Sequence, residues 1–271
     1  MKTYLHYPMK ALVNCRDLGG MPTADGGVTR FGVLIRSELP TDLPEEDLAF
    51  FKELNVTTSI DLRTGDEVNT SPSDFRTCGF IDYKHIGVMS QQAAVGSEVK
   101  KSATQEKAEK QAPPKPGEAS FNFERLVSME WIPVYCKIVA NSPKWVYDIF
   151  DAFIHAEGAM HFHCATGKDR TGLVSMLLLS AVGCGEDDIA ANYSLSETYM
   201  RSIYEKMVKG MKGDDYEDAD LVKGFFGTSQ NTMRSVMNYL KENYGTIIDY
   251  LHSCGVTDEM IQATKDKLVE Y

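Results

Sequence analysis

The stretch His161-Phe162-His163-Cys164-Ala165-Thr166-Gly167-Lys168-Asp169-Arg170-Thr171-Gly172 places a cysteine and an arginine six positions apart, with a hydroxyl residue directly after the arginine. An apolar run from Gly158 to Phe162 precedes it and reads as a buried strand. Leu173 to Leu179 follows and reads as a buried helix. The loop therefore joins a strand to a helix N-terminus, where oriented N–H groups and the helix dipole favour an anion. The same field stabilises a thiolate at Cys164. Arg170 adds a planar, permanently charged fork that fits two phosphate oxygens. Nucleophile, anion cradle and clamp in one loop suit phosphate-ester cleavage through a phosphocysteine intermediate.

The pattern His163-Cys164-x-x-Gly167-x-x-Arg170-Thr171-Gly172 resembles the signature loop of the protein tyrosine phosphatase superfamily. The Lys168-Asp169 pair within it is similar to a narrower branch, the bacterial and fungal tyrosine and phosphoinositide phosphatases related to mycobacterial protein tyrosine phosphatase B. Asn14-Cys15-Arg16-Asp17-Leu18-Gly19-Gly20 matches a second motif of that branch and is followed by Arg36-Ser37. Ile60-Asp61-Leu62-Arg63, with Glu67 just after, agrees with it too. The resemblance implies the cysteine-phosphatase fold. That is one α/β domain over residues 1–271, with a central, mostly parallel sheet flanked by helices, a helix-rich C-terminal half and a lid insertion at about 90–132.

Roles follow residue by residue. Cys164 is the expected nucleophile, and the backbone of Ala165, Thr166, Gly167 and Lys168, through to Arg170, cradles the phosphoryl oxygens. Arg170 stabilises the transition state, and the Thr171 hydroxyl supports the Cys164 sulfur. Gly167 stands where a side chain would obstruct the turn. His163 is expected to hold loop backbone, since its side chain points away from Cys164 if the strand continues to it. His161 reads as a satisfied histidine of the core or surface.

The leaving group needs a proton. No Trp-Pro-Asp motif occurs, and no acid follows Trp131-Ile132-Pro133. The resemblance points to Asp169 as general acid, the bland alternative being an aspartate that only orients Arg170 or the loop. Asp61 is the runner-up acid and a candidate substrate contact, or else the partner of Arg63, Arg36 or Arg16. By resemblance Asn14, Arg16 and Asp17 line or buttress the loop, with Arg63 in support. Arg16 alternatively pairs with Asp17 or Asp61. Cys15 is a candidate disulfide partner that would protect Cys164 from over-oxidation.

Composition narrows the classes. In 271 residues, 43 % are hydrophobic and 25 % charged, ordinary values for a globular chain with a sizeable core. The formal net charge of -11 argues against a nucleic-acid or membrane-surface protein. Six scattered cysteines without metal-like spacing suggest reduced thiols and a cytoplasmic setting. No signal-peptide core and no membrane span is evident. No metal or other cofactor is expected, because phosphocysteine chemistry needs none. The Gly-x-x-x-x-Gly-Lys-[Ser/Thr] nucleotide loop is not met. A rhodanese-like sulfur carrier also uses a loop cysteine, but Arg170-Thr171 before an apolar helix favours a phosphatase.

Other segments position these residues. Val33 to Ile35 and Val56 to Leu62 read as strands. Thr41 to Glu46 starts a helix with polar cap candidates and Pro44 near its first turn; Leu48, Phe51 and Leu54 mark its buried face. Pro143 opens another, with Val146, Ile149, Phe150, Phe153 and Ile154 at helical spacing. From Thr171 onward nearly everything reads helical, and Thr257 is a candidate N-cap. Residues 97–118 are polar and proline-rich, a lid or a solvated insertion, followed by the apolar stretch Phe121 to Ile132. Asp214, Asp215, Glu217, Asp218 and Asp220 lack EF-hand spacing and read as a solvated loop. The expected substrate is a phosphotyrosine protein, with phosphoserine or phosphothreonine in addition. Lys168, as a second phosphate contact, leaves phosphoinositides or inositol phosphates as the alternative. An inactive phosphate-binding module is a further one.

Overall fold

The computed structural model describes residues 5–88, 130–212 and 229–271. The N-terminal half runs β1 (Arg16–Asp17), β2 (Val28–Thr29), β3 (Leu34–Ser37), α1 (Glu45–Glu53), β4 (Val56–Asp61), α2 (Gly65–Thr70), a 3-10 turn at Asp74–Arg76 and β5 (Asp82–His85). Then come α3 (Trp131–Asn141), α4 (Pro143–His155), β6 (Ala159–His163) and α5 (Asp169–Ala181). The chain closes with α6 (Glu186–Lys212), α7 (Gln230–Tyr244), α8 (Ile247–Ser253), α9 (Asp258–Leu268) and β7 (Val269–Glu270). The 97–118 segment, the Phe121 to Met129 stretch and the acidic cluster at 214–220 lie outside the described residues. Of the expected lid only its last residues, Glu130 to Ile132, lie within the described part, as the N-cap and start of α3.

The main sheet has the order β1-β3-β6-β4-β5. Only β1 runs antiparallel to its neighbour. β6 sits at the centre, with His163 level with Ser37 of β3 and Asp61 of β4. Three parallel strands thus deliver their carboxyl ends to one place, where sites of open α/β sheets gather.

Alternation along the strands divides the core. Leu34, Ile60, Met160 and Phe162 pack with the later helices in one cluster. Ile35, Val56 and Ala159 pack with Phe51, Phe75, Leu12 and Cys15 in another. α5 is buried along almost its whole length, as a helix apolar on every side must be. Each large apolar side chain it buries contributes roughly 1.5–3 kcal/mol. α4 buries Val146, Ile149, Phe150 and Phe153 as its spacing requires, with Ile154 half-buried.

Three local expectations change. α1 has Pro44 itself at the N-cap, without a side-chain cap; Asp47 instead turns to the N-terminal segment and accepts from Lys10 N and Ala11 N. α5 begins at Asp169 rather than after the motif, so Asp169 and Arg170 sit in its first turn. The C-terminus is not helical to its end, because β7 pairs with β2. Thr257 does cap α9, accepting from Met260 N at 3.3 Å.

Asp61 closes β4 by binding Arg63, with Nε at 2.9 Å and Nη2 at 2.6 Å, and by accepting from Tyr83 Oη at 2.8 Å. Burial opposes its charge, but Arg63, His163 and Tyr83 outweigh burial and bring its pKa down to about 2. That lies below the unfolded value of about 3.9. The pair therefore stabilises the fold above about pH 4, and the stabilisation is lost as pH falls through about 2. Arg63→Ala should cost about 3–5 kcal/mol by leaving a buried carboxylate unpaired. Thermal melts should show the gap to the native chain at neutral pH and its narrowing in acid.

Candidate active site

Residues 164–170 turn sharply between β6 and α5, and every carbonyl from Cys164 to Lys168 is held from outside. His163 Nδ1 meets Cys164 O at 3.1 Å and Leu39 N donates to Ala165 O at 3.1 Å. Asn14 Nδ2 donates to Thr166 O at 3.0 Å and Gly167 O at 3.3 Å. Arg36 Nη2 adds a bond to Gly167 O at 2.7 Å, and Gly172 N reaches Lys168 O at 2.8 Å. With the carbonyls drawn outward, the N–H groups of Gly167 and Thr171 turn to the Cys164 sulfur. Gly167 adopts φ +66°, and a Cβ there would lie 2.3 Å from Ser37 O.

Arg16 and Arg36 face each other across the β1–β3 pair and are both fully buried. Among the described residues neither forms an ion pair with a carboxylate. Arg16 donates to Asn14 O at 3.2 Å, Asn14 Oδ1, Asn192 O at 3.0 Å and Ser196 Oγ at 2.9 Å. Arg36 also donates to Ser175 Oγ at 3.0 Å and Asn192 Oδ1 at 3.2 Å. α5 and α6 thus supply the polar atoms that hold two buried cations beneath the loop.

Burial disfavours a Cys164 thiolate. Arg170, the Thr171 hydroxyl and the N–H groups of Thr171 and Gly167 more than offset it, so the thiol sits below its ordinary pKa. The Thr171 hydroxyl is buried and donates to no oxygen among the described residues. Arg170 binds Glu67 through both terminal nitrogens, at 2.6 and 2.8 Å. Glu67 also receives Thr64 N at 2.8 Å, closing a capping box at the start of α2. This leaves Arg170 Nε, buried and without a partner among the described residues, as a donor for an anion.

Asp169 is 8 % exposed, and burial, against the pull of Arg170, raises its pKa to about 7. Tyr135 Oη donates to its Oδ1, and Lys168 Nζ lies 3.6 Å from the same oxygen. Lys168 Nζ also stands 5.0 Å over the Trp131 ring. Its burial lowers its pKa to about 8.

A sequence model described as the tyrosine phosphatase family matches residues 7–270. The chain belongs to that family. A tyrosine-protein phosphatase of Nostoc commune is 29 % identical over 236 residues, covering 84 % of this chain and 70 % of that one. A Cupriavidus necator relative whose tyrosine-protein phosphatase name is provisional is 29 % identical over 241 residues, covering 88 % and 80 %. The triple specificity protein phosphatase PtpB of Mycobacterium tuberculosis is 27 % identical over 117 residues, covering 40 % and 42 %. The chain is accordingly a tyrosine phosphatase and a hydrolase.

In this phosphatase the residues expected from the sequence separate into two shells. Cys164, Ala165, Thr166, Gly167, Lys168, Asp169, Arg170 and Thr171 form the loop itself. Asn14 and Arg16 are fully buried: Asn14 donates to the loop carbonyls of Thr166 and Gly167, and Arg16 to Asn192 O and Ser196 Oγ on α6, its Nε having no partner among the described residues. Arg16 pairs with neither Asp17 nor Asp61. Asp61 is likewise fully buried against Arg63 and Tyr83 with its pKa held low, an environment that favours a structural carboxylate over a proton donor. His163 stacks on His161 on the opposite side of the sheet from the Phe162 core, and burial lowers its pKa to about 4, so it is neutral at pH 7. His161 is held between Ser37 Oγ at 2.8 Å and Ser59 Oγ at 2.9 Å. Cys15 lies in the α1-side core cluster and Cys164 in the other, and both are free thiols, which does not favour the expected disulfide.

Tyr135, Ser175, Asn192, Tyr193 and Ser196 were not legible as site residues. Asn192 and Ser196 carried a faint signal, polar residues four apart on the α6 face that also buries Ile189 and Tyr193. Among the described residues no helix is long and apolar enough to cross a membrane, and no group of three His, Cys, Asp or Glu could hold a metal ion.

Gly167→Ala should push Ser37 away or force the loop out of its left-handed turn. Vanadate binding by calorimetry should weaken sharply and phosphatase turnover fall by about 10²–10³-fold, the loss given by misaligned oxyanion donors. Melting should change far less.

Proposed function

We propose that the chain hydrolyses phosphotyrosine through a phosphocysteine intermediate, with Cys164 as nucleophile and Asp169 as general acid. One observation carries this reading. A thiol held below its ordinary pKa and a carboxylic acid raised to about 7 share a single loop, so each is shifted toward the form the reaction needs, thiolate for attack and protonated acid for the leaving group.

Cys164 Sγ attacks phosphorus in line while the phosphorus–oxygen ester bond breaks. Asp169 gives its proton to the leaving phenoxide. Loop amides and Arg170 Nε meet the equatorial oxygens, and Glu67 fixes the guanidinium plane. In the second step water attacks phosphorus, Asp169 takes its proton, and Sγ leaves as a thiolate favoured by the Thr171 hydroxyl. The curated relatives' names support a phosphoprotein substrate. The phosphoinositide reading rests on Lys168 meeting a second phosphate, and Lys168 instead lies against Trp131 and Asp169. Comparing phosphotyrosine peptides with soluble inositol phosphates and phosphoserine peptides separates the substrate classes.

Phosphate release from an aryl phosphate in EDTA should be abolished by Cys164→Ser. Metal-dependent activity or activity surviving that change would overturn the mechanism. With a poor leaving group, Asp169→Asn should slow turnover by about 10²–10⁴-fold. In the native chain kcat/KM should decline above about pH 7 as Asp169 loses its proton, and Asp169→Asn should remove that alkaline limb. A limb that persists in Asp169→Asn would move the acid role elsewhere.

A further inference from the structure

We propose that Tyr135, reaching the loop from α3, is a positioning residue for the general acid: it fixes Asp169 Oδ1 so that Oδ2 carries the transferable proton toward the ester oxygen. The inference rests on Asp169 being that acid. Tyr135 is fully buried, so its ring cannot wander, and its hydroxyl meets Asp169 Oδ1. Tyr193 Oη on α6 stands 3.1 Å from Tyr135 Oη, with the two rings edge to face. Tyr193 therefore donates to Tyr135, which donates to Asp169, in a chain that polarises in one direction.

The two oxygens of Asp169 differ sharply. Oδ1 has the Tyr135 hydroxyl and Lys168 Nζ at 3.6 Å. Among the described residues no side chain donates to Oδ2, the carboxyl's further hydrogen bond being from its own backbone N–H. A carboxylic acid whose one oxygen is already engaged by donors carries its proton on the other. Asp169 opens helix α5, so its backbone is fixed and only side-chain torsion remains free. The Tyr135 hydroxyl removes that freedom. Without it the acid would still exist, but it would spend less time aimed at the leaving group.

The groups facing Asp169 from every packed element are Arg170 and Lys168 on its own loop, Arg36 from β3, Tyr135 from α3, and Tyr193 and Tyr204 from α6. Of these, Tyr135 directs its hydroxyl onto the carboxylate. Loss of this donor disfavours the carboxylate form, so the apparent pKa of Asp169 rises.

The test is Tyr135→Phe, measured with aryl phosphates of graded leaving-group pKa and over a pH series. The expected result is a steeper dependence on leaving group, with kcat reduced roughly tenfold for the poorest and much less for the best. The alkaline limb should move up by roughly half to one pH unit. In the Asp169→Asn background Tyr135→Phe should add little, because the group it positions is gone. Tyr193→Phe should show the same signature more weakly. Inorganic phosphate binding and the melting temperature report whether each variant is folded. An equal fall for all leaving groups, or full additivity with Asp169→Asn, would overturn the positioning role while leaving Asp169 as the acid. If Asp169→Asn itself leaves the leaving-group dependence unchanged, the acid assignment fails first and the inference with it.

Discussion

A loop that presents its amides to an anion must send its carbonyls the other way, and those carbonyls need donors. The whole site follows from this constraint. A buried carbonyl without a partner costs about 1–3 kcal/mol, and five carbonyls in succession from Cys164 to Lys168, most of them on buried residues, must be partnered. The chain answers with Asn14 and Leu39 from the N-terminal segments, Arg36 from β3, His163 from β6 and Gly172 from α5. The motif around Asn14 and the Arg36 strand are thus the outer wall of the turn, which is why they sit so far from it in sequence.

Charge is arranged around the same turn. Arg16 and Arg36 are buried side by side with hydroxyls, amides and carbonyls for company but no carboxylate. Such a pair is unfavourable by itself, since like charges oppose across the ladder. In the proposed mechanism it becomes tolerable, because the loop above it holds a thiolate and receives a phosphate. Arg170 differs, because Glu67 neutralises it and fixes its plane while leaving Nε open. Asp169 completes the set. Burial keeps it protonated near neutrality beside a cysteine tuned in the opposite direction.

The loop, its strand and helix, and the long α4 were legible because motif spacing and helical periodicity are local signals. Partner choice was not. In the sequence Asp61 has three arginines as candidate partners, and the strand end settles it on Arg63, two residues away. Arg16 read as a loop residue, or else the mate of Asp17 or Asp61, yet the β1–β3 register aims it at α6, where Asn192 and Ser196 wait nearly two hundred residues downstream. Tyr135 looked like any aromatic of an apolar helix. Only the packing of α3 against the start of α5 turns its hydroxyl to Asp169. Short β7 escaped notice because two residues leave no period to read.

The central claim is that the phosphoryl group rests on Cys164 during turnover. The most direct test is rapid acid quench of the enzyme with an aryl phosphate, followed by peptide mass spectrometry. The account predicts one added phosphoryl group on the peptide containing Cys164, enriched when hydrolysis of the intermediate is slowed. Product formation with no such adduct, or with the phosphoryl group on a different residue, would contradict it.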